Sequence, residues 1–248
     1  IRTFIDGRAE HYPPEVMIDY DVITAGGVRN DGRHYLDILD DRKVDLFYGV
    51  GGVGYGYHAD DTLHHVEAVP WWVLIFRSAG HGIWLRKDAA SIATLQRIKA
   101  YYDARGIPFS VEAGLDVGQL IREHQAYAID IRLIPPIYPA RLAVSREGDP
   151  DTRLNALAWL GDRHKIAGDY VGALGAYGEV LKVNPNVGYI LEQSITCLTA
   201  LGHFDAAMDT FARAQRAGVP DETLKRLEHH IANQSEWRTT LSKWKVTP

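Results

Sequence analysis

Two hydrophobic rhythms divide the chain. Over the first 145 residues, apolar positions come in short runs broken by glycine and proline, at 20–23, 44–48, 71–77, 82–87, 107–113 and 126–134. Runs of this length, rich in β-branched and aromatic residues, predict strands. One stretch differs. Ile92, Leu95, Ile98 and Tyr102 recur at helical spacing, which predicts a helix over 88–105 with Asp88 as its cap and Gly106 as its stop. Pro135, Pro136 and Pro139 then break the chain. Strands alternating with helical pattern predict an α/β domain over 1–145, with a layered, mostly parallel sheet. Residues 151–235 read instead as nearly continuous helix with short turns. The segment SREGDPDTR between them, carrying Gly148 and Pro150, marks the boundary, and 151–248 is expected to be all-α.

The run at 44–48 opens into glycines, and Gly49, Gly51 and Gly54 spell G-x-G-x-x-G, the spacing of a phosphate-binding turn. That turn requires a helix directly after the third glycine and a second strand ending in an acidic residue. Here the loop continues as YGYHADD, and the next strand, WWVLIFR, ends in Arg77. The local pattern also occurs twice, since Asp6-Gly7-Arg8 and Asp31-Gly32-Arg33 each precede a Gly-Gly-Val. Each copy reads as turn, spacer, apolar strand and glycine turn. The loop is therefore read as a tight strand-exit turn lining a cleft, and no cofactor is expected.

Composition narrows the function. A net charge of −5 with no basic excess argues against nucleic acid. Cys197 is the only cysteine, which leaves no disulfide framework or cysteine-based zinc site. It does not fix the compartment; a cytoplasmic location is favoured. No apolar run reaches the length of a membrane span. The chain begins at Ile1, as a processed protein or a piece of a longer one would. The segment HADDTLHHVEA holds His58, Asp60, Asp61, His64, His65 and Glu67, and with His81 it offers metal-ligand chemistry. A solvated helix start capped by aspartate explains it better, so no metal is expected. There is no G-x-S-x-G, H-E-x-x-H or Walker loop, and no catalytic residue is assigned.

The helical half carries a more specific pattern. In LGDRHKIAGDYVGALGAYGEVLKVNP, the residues Leu160, Gly161, Gly168, Asp169, Tyr170, Ala173, Tyr177 and Pro185 resemble a tetratricopeptide repeat. Gly202, Phe204, Ala207 and Phe211 repeat the pattern 34 positions on, at that family's period. Ser194 and Ile195 replace the Leu-Gly pair in the second copy, and Pro220 arrives one position late. Residues 221–237 fit one closing helix, with Asp221 at its start. The resemblance implies a partner-binding face built from the first helix of each repeat. That face would offer Asn155, Asp162, Lys165, Tyr189, Glu192, Thr196 and Thr199 to another protein.

The first half resembles spermidine synthases, a family with a Rossmann-like fold, through YDVI or VDLFY, DGRHYL and TLHHVEA within residues 16–77. The resemblance implies that Asp31 with Gly32 holds the adenine of a decarboxylated S-adenosylmethionine, beside Gly49, Gly51 and Gly54. It also calls for a catalytic aspartate five positions after the strand's first Asp. Counting from Asp45 gives Val50, and from Asp21 gives Gly26; neither is a base. The sequence is therefore expected to encode a non-catalytic accessory or scaffold subunit that binds a protein partner through its repeats. Membership of a membrane-associated assembly is compatible with this. The alternative is an S-adenosylmethionine-type or aminopropyl transferase.

Overall fold

The computed structural model describes residues 13–51, 62–63, 65–88 and 91–243. The chain forms two compact units, Ile1–Asp116 and Val117–Pro248. Among the described residues there are eleven helices and five strands.

The first unit is not a layered parallel α/β domain. Its first described elements are two helices, α1 (Pro14–Ala25) and α2 (Tyr35–Asp41). The run at 20–23, expected as a strand, lies inside α1. A proline in the first turn starts this helix, and Gly26 ends it in the left-handed region at φ 61°. The apparent duplication of 6–28 in 31–53 is therefore not structural, because the first copy's apolar run is helix and the second's is strand. Asp19 is 2% exposed and accepts hydrogen bonds from Arg29, at 2.6 Å, and from Arg42 Nε, at 3.0 Å. That clamp ties α1 to the connection and to the end of α2.

Three strands follow, β1 (Leu46–Val50), β2 (Trp72–Arg77) and β3 (His81–Arg86), in the order β1-β3-β2. Every pairing is antiparallel. For β2 and β3 the physical reason is connection length. Only Ser78, Ala79 and Gly80 join β2 to β3, and a parallel crossover needs a dozen residues or more. The Trp84 indole sets the packing. Gly49 and Gly82 face each other across β1 and β3, and a Cβ on Gly82 would lie 2.2 Å from the Trp84 ring. Phe47 meets both Trp72 and Trp84 edge-on, at 6.2 Å between centroids. The predicted helix is present as α3 (Ile92–Asp103), with Leu95 and Tyr102 buried and Ile92 exposed. The strand expected at 107–113 is a hairpin of two short strands, β4 (Phe109–Ser110) and β5 (Gly114–Leu115). Ser110 Oγ accepts from the backbone N–H of Glu112 and Ala113 and turns the chain.

Among the described residues the regular elements of the second unit are all helices: α4 (Val117–Glu123), α5 (Gln125–Asp130), α6 (Tyr138–Glu147), α7 (Pro150–Ala167), α8 (Tyr170–Val183), α9 (Gly188–Leu201), α10 (Phe204–Arg216) and α11 (Asp221–Lys243). The run at 126–134, expected as a strand, begins as α5 and ends in a turn at Arg132, where φ is 58°. Short apolar runs bury equally well in either state, and period alone cannot separate them. Among the described residues no helix is long and apolar enough to cross a membrane.

Two glycines in this unit have opposite roles. A Cβ on Gly161 of α7 would lie 2.3 Å from the Tyr177 ring of α8, whereas a Cβ on Gly175 meets nothing within 4 Å. Gly161→Ala should overpack the hairpin and cost about 1–3 kcal/mol. Gly175→Ala should stabilise by about 1 kcal/mol, because it removes a helix-interior glycine without a clash. Thermal melting of the two variants checks the opposite signs.

Candidate functional site

In the second unit α7 and α8 form one helical hairpin, and α9 and α10 form the next. Each first helix ends on a left-handed glycine, Gly168 at φ 86° and Gly202 at φ 77°. Residues 34 apart occupy equivalent sites. Ala173 and Ala207 are both 0% exposed, and Tyr177 and Phe211 are both buried. The small residues let the helices approach, and the rings fill the space between them. α7 packs on α9, and α9 packs on α11, so these three helices run side by side as one layer.

One oxygen joins three of these helices. Asp162 of α7 is 5% exposed, and its Oδ1 accepts the Tyr177 hydroxyl of α8 at 2.7 Å and the Tyr189 hydroxyl of α9 at 2.8 Å. A buried acidic group is costly unless hydrogen-bonded, and two hydroxyl donors meet that requirement. Burial, and then Asp162 itself, raise the Tyr177 pKa far above the ordinary tyrosine range, so Tyr177 stays a donor. Tyr189 keeps 40% of its surface exposed. It is an aromatic ring held at one end and open at the other.

The neighbouring polar groups are cross-linked in the same layer. Lys165 donates to Gln193, Glu192 pairs with Arg226 of α11, and Thr196 Oγ1 donates to the Glu192 carbonyl at 3.2 Å. Asn155 is exposed on α7. Thr199 is fully buried, so it is not at the surface, and its hydroxyl has no hydrogen-bond partner among the described residues. Sequence reasoning did not identify Gln193, Arg226 or the second role of Tyr177. The signal was present for Arg226, which lies one repeat, 34 positions, beyond Glu192.

The glycine residues of the first unit are placed as follows. Gly49 lies within β1, where a side chain would meet the Trp84 ring at 2.9 Å. The Gly51 N–H donates to the Gly80 carbonyl at 2.9 Å. Gly54 lies outside the described residues, as do His58, Asp60, Asp61 and His64. The Asp31 carboxyl accepts from Arg33, from its backbone N–H at 3.2 Å and from its Nε at 3.0 Å. The backbone bond, then the guanidinium, lower its pKa. Gly32 supplies a turn at φ 87°. Glu67 lies 3.6 Å from Arg77, His81 stacks on Tyr48 and shares a 3.3 Å contact with Ser78, and the His65 carbonyl accepts from the Tyr35 hydroxyl. Among the described residues no three His, Cys, Asp or Glu side chains gather as a metal site.

A second polar chain tests for catalysis. The Tyr138 hydroxyl lies 2.8 Å from His164 Nε2, and His164 Nδ1 lies 2.8 Å from Asp169 Oδ2. The order resembles a nucleophile, base and orienting acid. Tyr138 is only 3% exposed, and burial, then the Asp169 charge, push its pKa up to about 12. It is neither accessible nor activated. Asp169 meanwhile accepts the Gly172 N–H at 2.9 Å and caps α8. The trio is a staple between α6, α7 and the start of α8. Cys197 is fully buried, and burial pushes its pKa up to about 12, which makes it an unreactive packing thiol.

Comparison with protein-family models, curated proteins and solved structures returned no match.

The staple makes stability depend on pH. Burial alone would raise the Asp169 pKa, but the His164 and Gly172 hydrogen bonds outweigh it and the folded value lies below the ordinary one. Asp169 therefore contributes stability above the unfolded pKa of about 4, and loses it as pH falls through the lower folded value. Asp169→Asn should flatten that acid limb. Urea titrations of both proteins from neutral pH downward check this.

Proposed function

We propose that the chain is a non-catalytic accessory or scaffold protein whose helical unit docks an extended segment of a partner protein along α7, α9 and α11, in the manner of tetratricopeptide domains. The observation that carries this reading is Tyr189, 40% exposed, with its hydroxyl tied to the buried Asp162. An aromatic side chain with few rotors, already fixed in place, loses little entropy on binding and makes a good anchor. Asn155 and Lys165 on α7 and Glu192 and Thr196 on α9 add donors and acceptors of both signs on the same two helices. In this reading they set the orientation of the partner more than its affinity. Thr199, being buried, shapes the layer and does not touch the partner.

The test is selection of a displayed random-peptide library against the purified full chain. Selected peptides should bind Tyr189→Ala about 30-fold more weakly, the ~2 kcal/mol of a hot-spot truncation. Tyr189→Ala should also cost about 1–2 kcal/mol of stability, since Asp162 loses one of its donors. Val171→Ser, on α8 and 68% exposed, should leave affinity unchanged. Failure to select any peptide, or selection only of peptides indifferent to Tyr189, would contradict the reading. Turnover of putrescine with decarboxylated S-adenosylmethionine by the purified chain would overturn its non-catalytic part.

A further inference from the structure

The first unit carries a separate surface that the helical repeats do not explain. α3 presents more apolar surface than the sheet covers. Leu95 and Tyr102 are buried, but Ile92 is 42% and Tyr101 49% exposed. Tyr102 anchors the helix by donating from its hydroxyl to the Ile75 carbonyl at 2.7 Å. Ile75 sits at the irregularity in β2, where the register with β3 slips between Leu74 and Phe76. A bulge bends a strand and re-aims its side chain. The result is an open groove of about 470 Å³ lined by Ile75, Thr94, Arg97, Ile98, Tyr101 and Tyr102.

The charge on its rim is specific. Arg97, Tyr101 and Arg105 follow one another at four-residue spacing along one side of α3 and the turn beyond it. The Arg105 guanidinium lies 3.6 Å from the Tyr101 ring centre and donates to the Tyr101 carbonyl at 2.9 Å. Arg97 donates to Thr94 at 3.2 Å. Neither guanidinium has a carboxylate partner among the described residues, whereas Lys99 between them is paired with Asp103 at 2.7 Å. In a chain of net charge −5, two ordered and uncompensated guanidiniums beside an apolar groove are a local reversal of sign.

We propose that this groove docks an acidic peptide segment of a partner protein, which inserts a large apolar side chain between Ile75 and Ile98 and sets carboxylates against Arg97 and Arg105. Small-molecule sites enclose most of their ligand, and this groove is open to solvent, so a side chain presented by a longer segment fits it better than a free metabolite. Arginine suits the role, because its fork binds carboxylates in two-point geometry and its plane stacks on tyrosine. The proposal is independent of the reading of the helical unit, and failure of one leaves the other intact.

The experiment uses the full chain and two fluorescein-labelled probe peptides with the same Leu-Phe-Leu centre, one flanked by glutamates and the other by lysines, followed by fluorescence anisotropy. The glutamate probe should bind at submillimolar concentration and the lysine probe at least tenfold more weakly. The R97E/R105E double variant should reverse that order. Because the reversal is a gain of binding for the lysine probe, an unfolded variant cannot mimic it. Val171→Ser should bind the glutamate probe as the parent does. Equal affinity for both probes, binding unaffected by the double variant, or binding to neither probe would overturn the proposal. So would retention on phosphatidylserine vesicles without peptide binding, which would assign the cations to a lipid surface.

Discussion

The helical unit depends on a single acceptor. Asp162 is buried, and its Oδ1 takes hydroxyls from Tyr177 on α8 and Tyr189 on α9, so three helices meet at one atom. An acidic group in that position must be satisfied, because an unpaired one costs several kcal/mol. The rest of the local sequence follows from it. Gly161 is glycine because the Tyr177 ring that carries the first donor passes over it. Ala173 is small because the two helices must close to that distance. Tyr189 is half out of the protein because its hydroxyl has to reach inward. The second hairpin solves the same packing problem without the acid: Phe211 replaces Tyr177, Ile195 replaces Gly161 and Thr196 replaces Asp162 at the 34-residue spacing. The polar junction is thus particular to the first hairpin and its contact with the second.

The first unit rests on a different use of space. The Trp84 indole lies over two glycines, one on each of the paired strands β1 and β3. This accounts for one glycine of the G-x-G-x-x-G in terms of packing alone, since Gly49 is inside a strand. Asp31, the other residue singled out for a nucleotide, already spends its carboxyl on Arg33.

What the sequence revealed and concealed follows from period and length. The helical half was legible because its pattern repeats over long elements, and glycine stops recur at Gly168 and Gly202. The strands at 46–50, 72–77 and 81–86 were legible as strands, but their direction was not, because run length says nothing of how strands pair. Only the three-residue link between β2 and β3 could have shown it. The runs at 20–23 and 126–134 were misread because four to nine apolar residues bury equally well in a short helix. The candidate face was legible as spacing, through Tyr189, Glu192, Lys165 and Asn155. Which of its members were buried was not. Asp162 and Thr199 have the polarity of surface residues, and only the packed neighbours show that they are inside. The groove beside α3 was hidden for the opposite reason: Ile92 and Ile98 have the spacing of core residues, yet Ile92 is exposed and Ile98 lines the groove.

Both surfaces present an aromatic ring fixed by its own chain, Tyr189 through Asp162 and Tyr101 through Arg105. The proposed recognition by the helical unit lies on the layer of α7, α9 and α11. Amide hydrogen exchange of the full chain, measured with and without a selected peptide, tests it most directly. Added protection is expected along those three helices around Lys165, Tyr189 and Arg226, with α8 and α10 unchanged. Protection confined to α8 and α10, or bound peptide with no change in the helical unit, would contradict it.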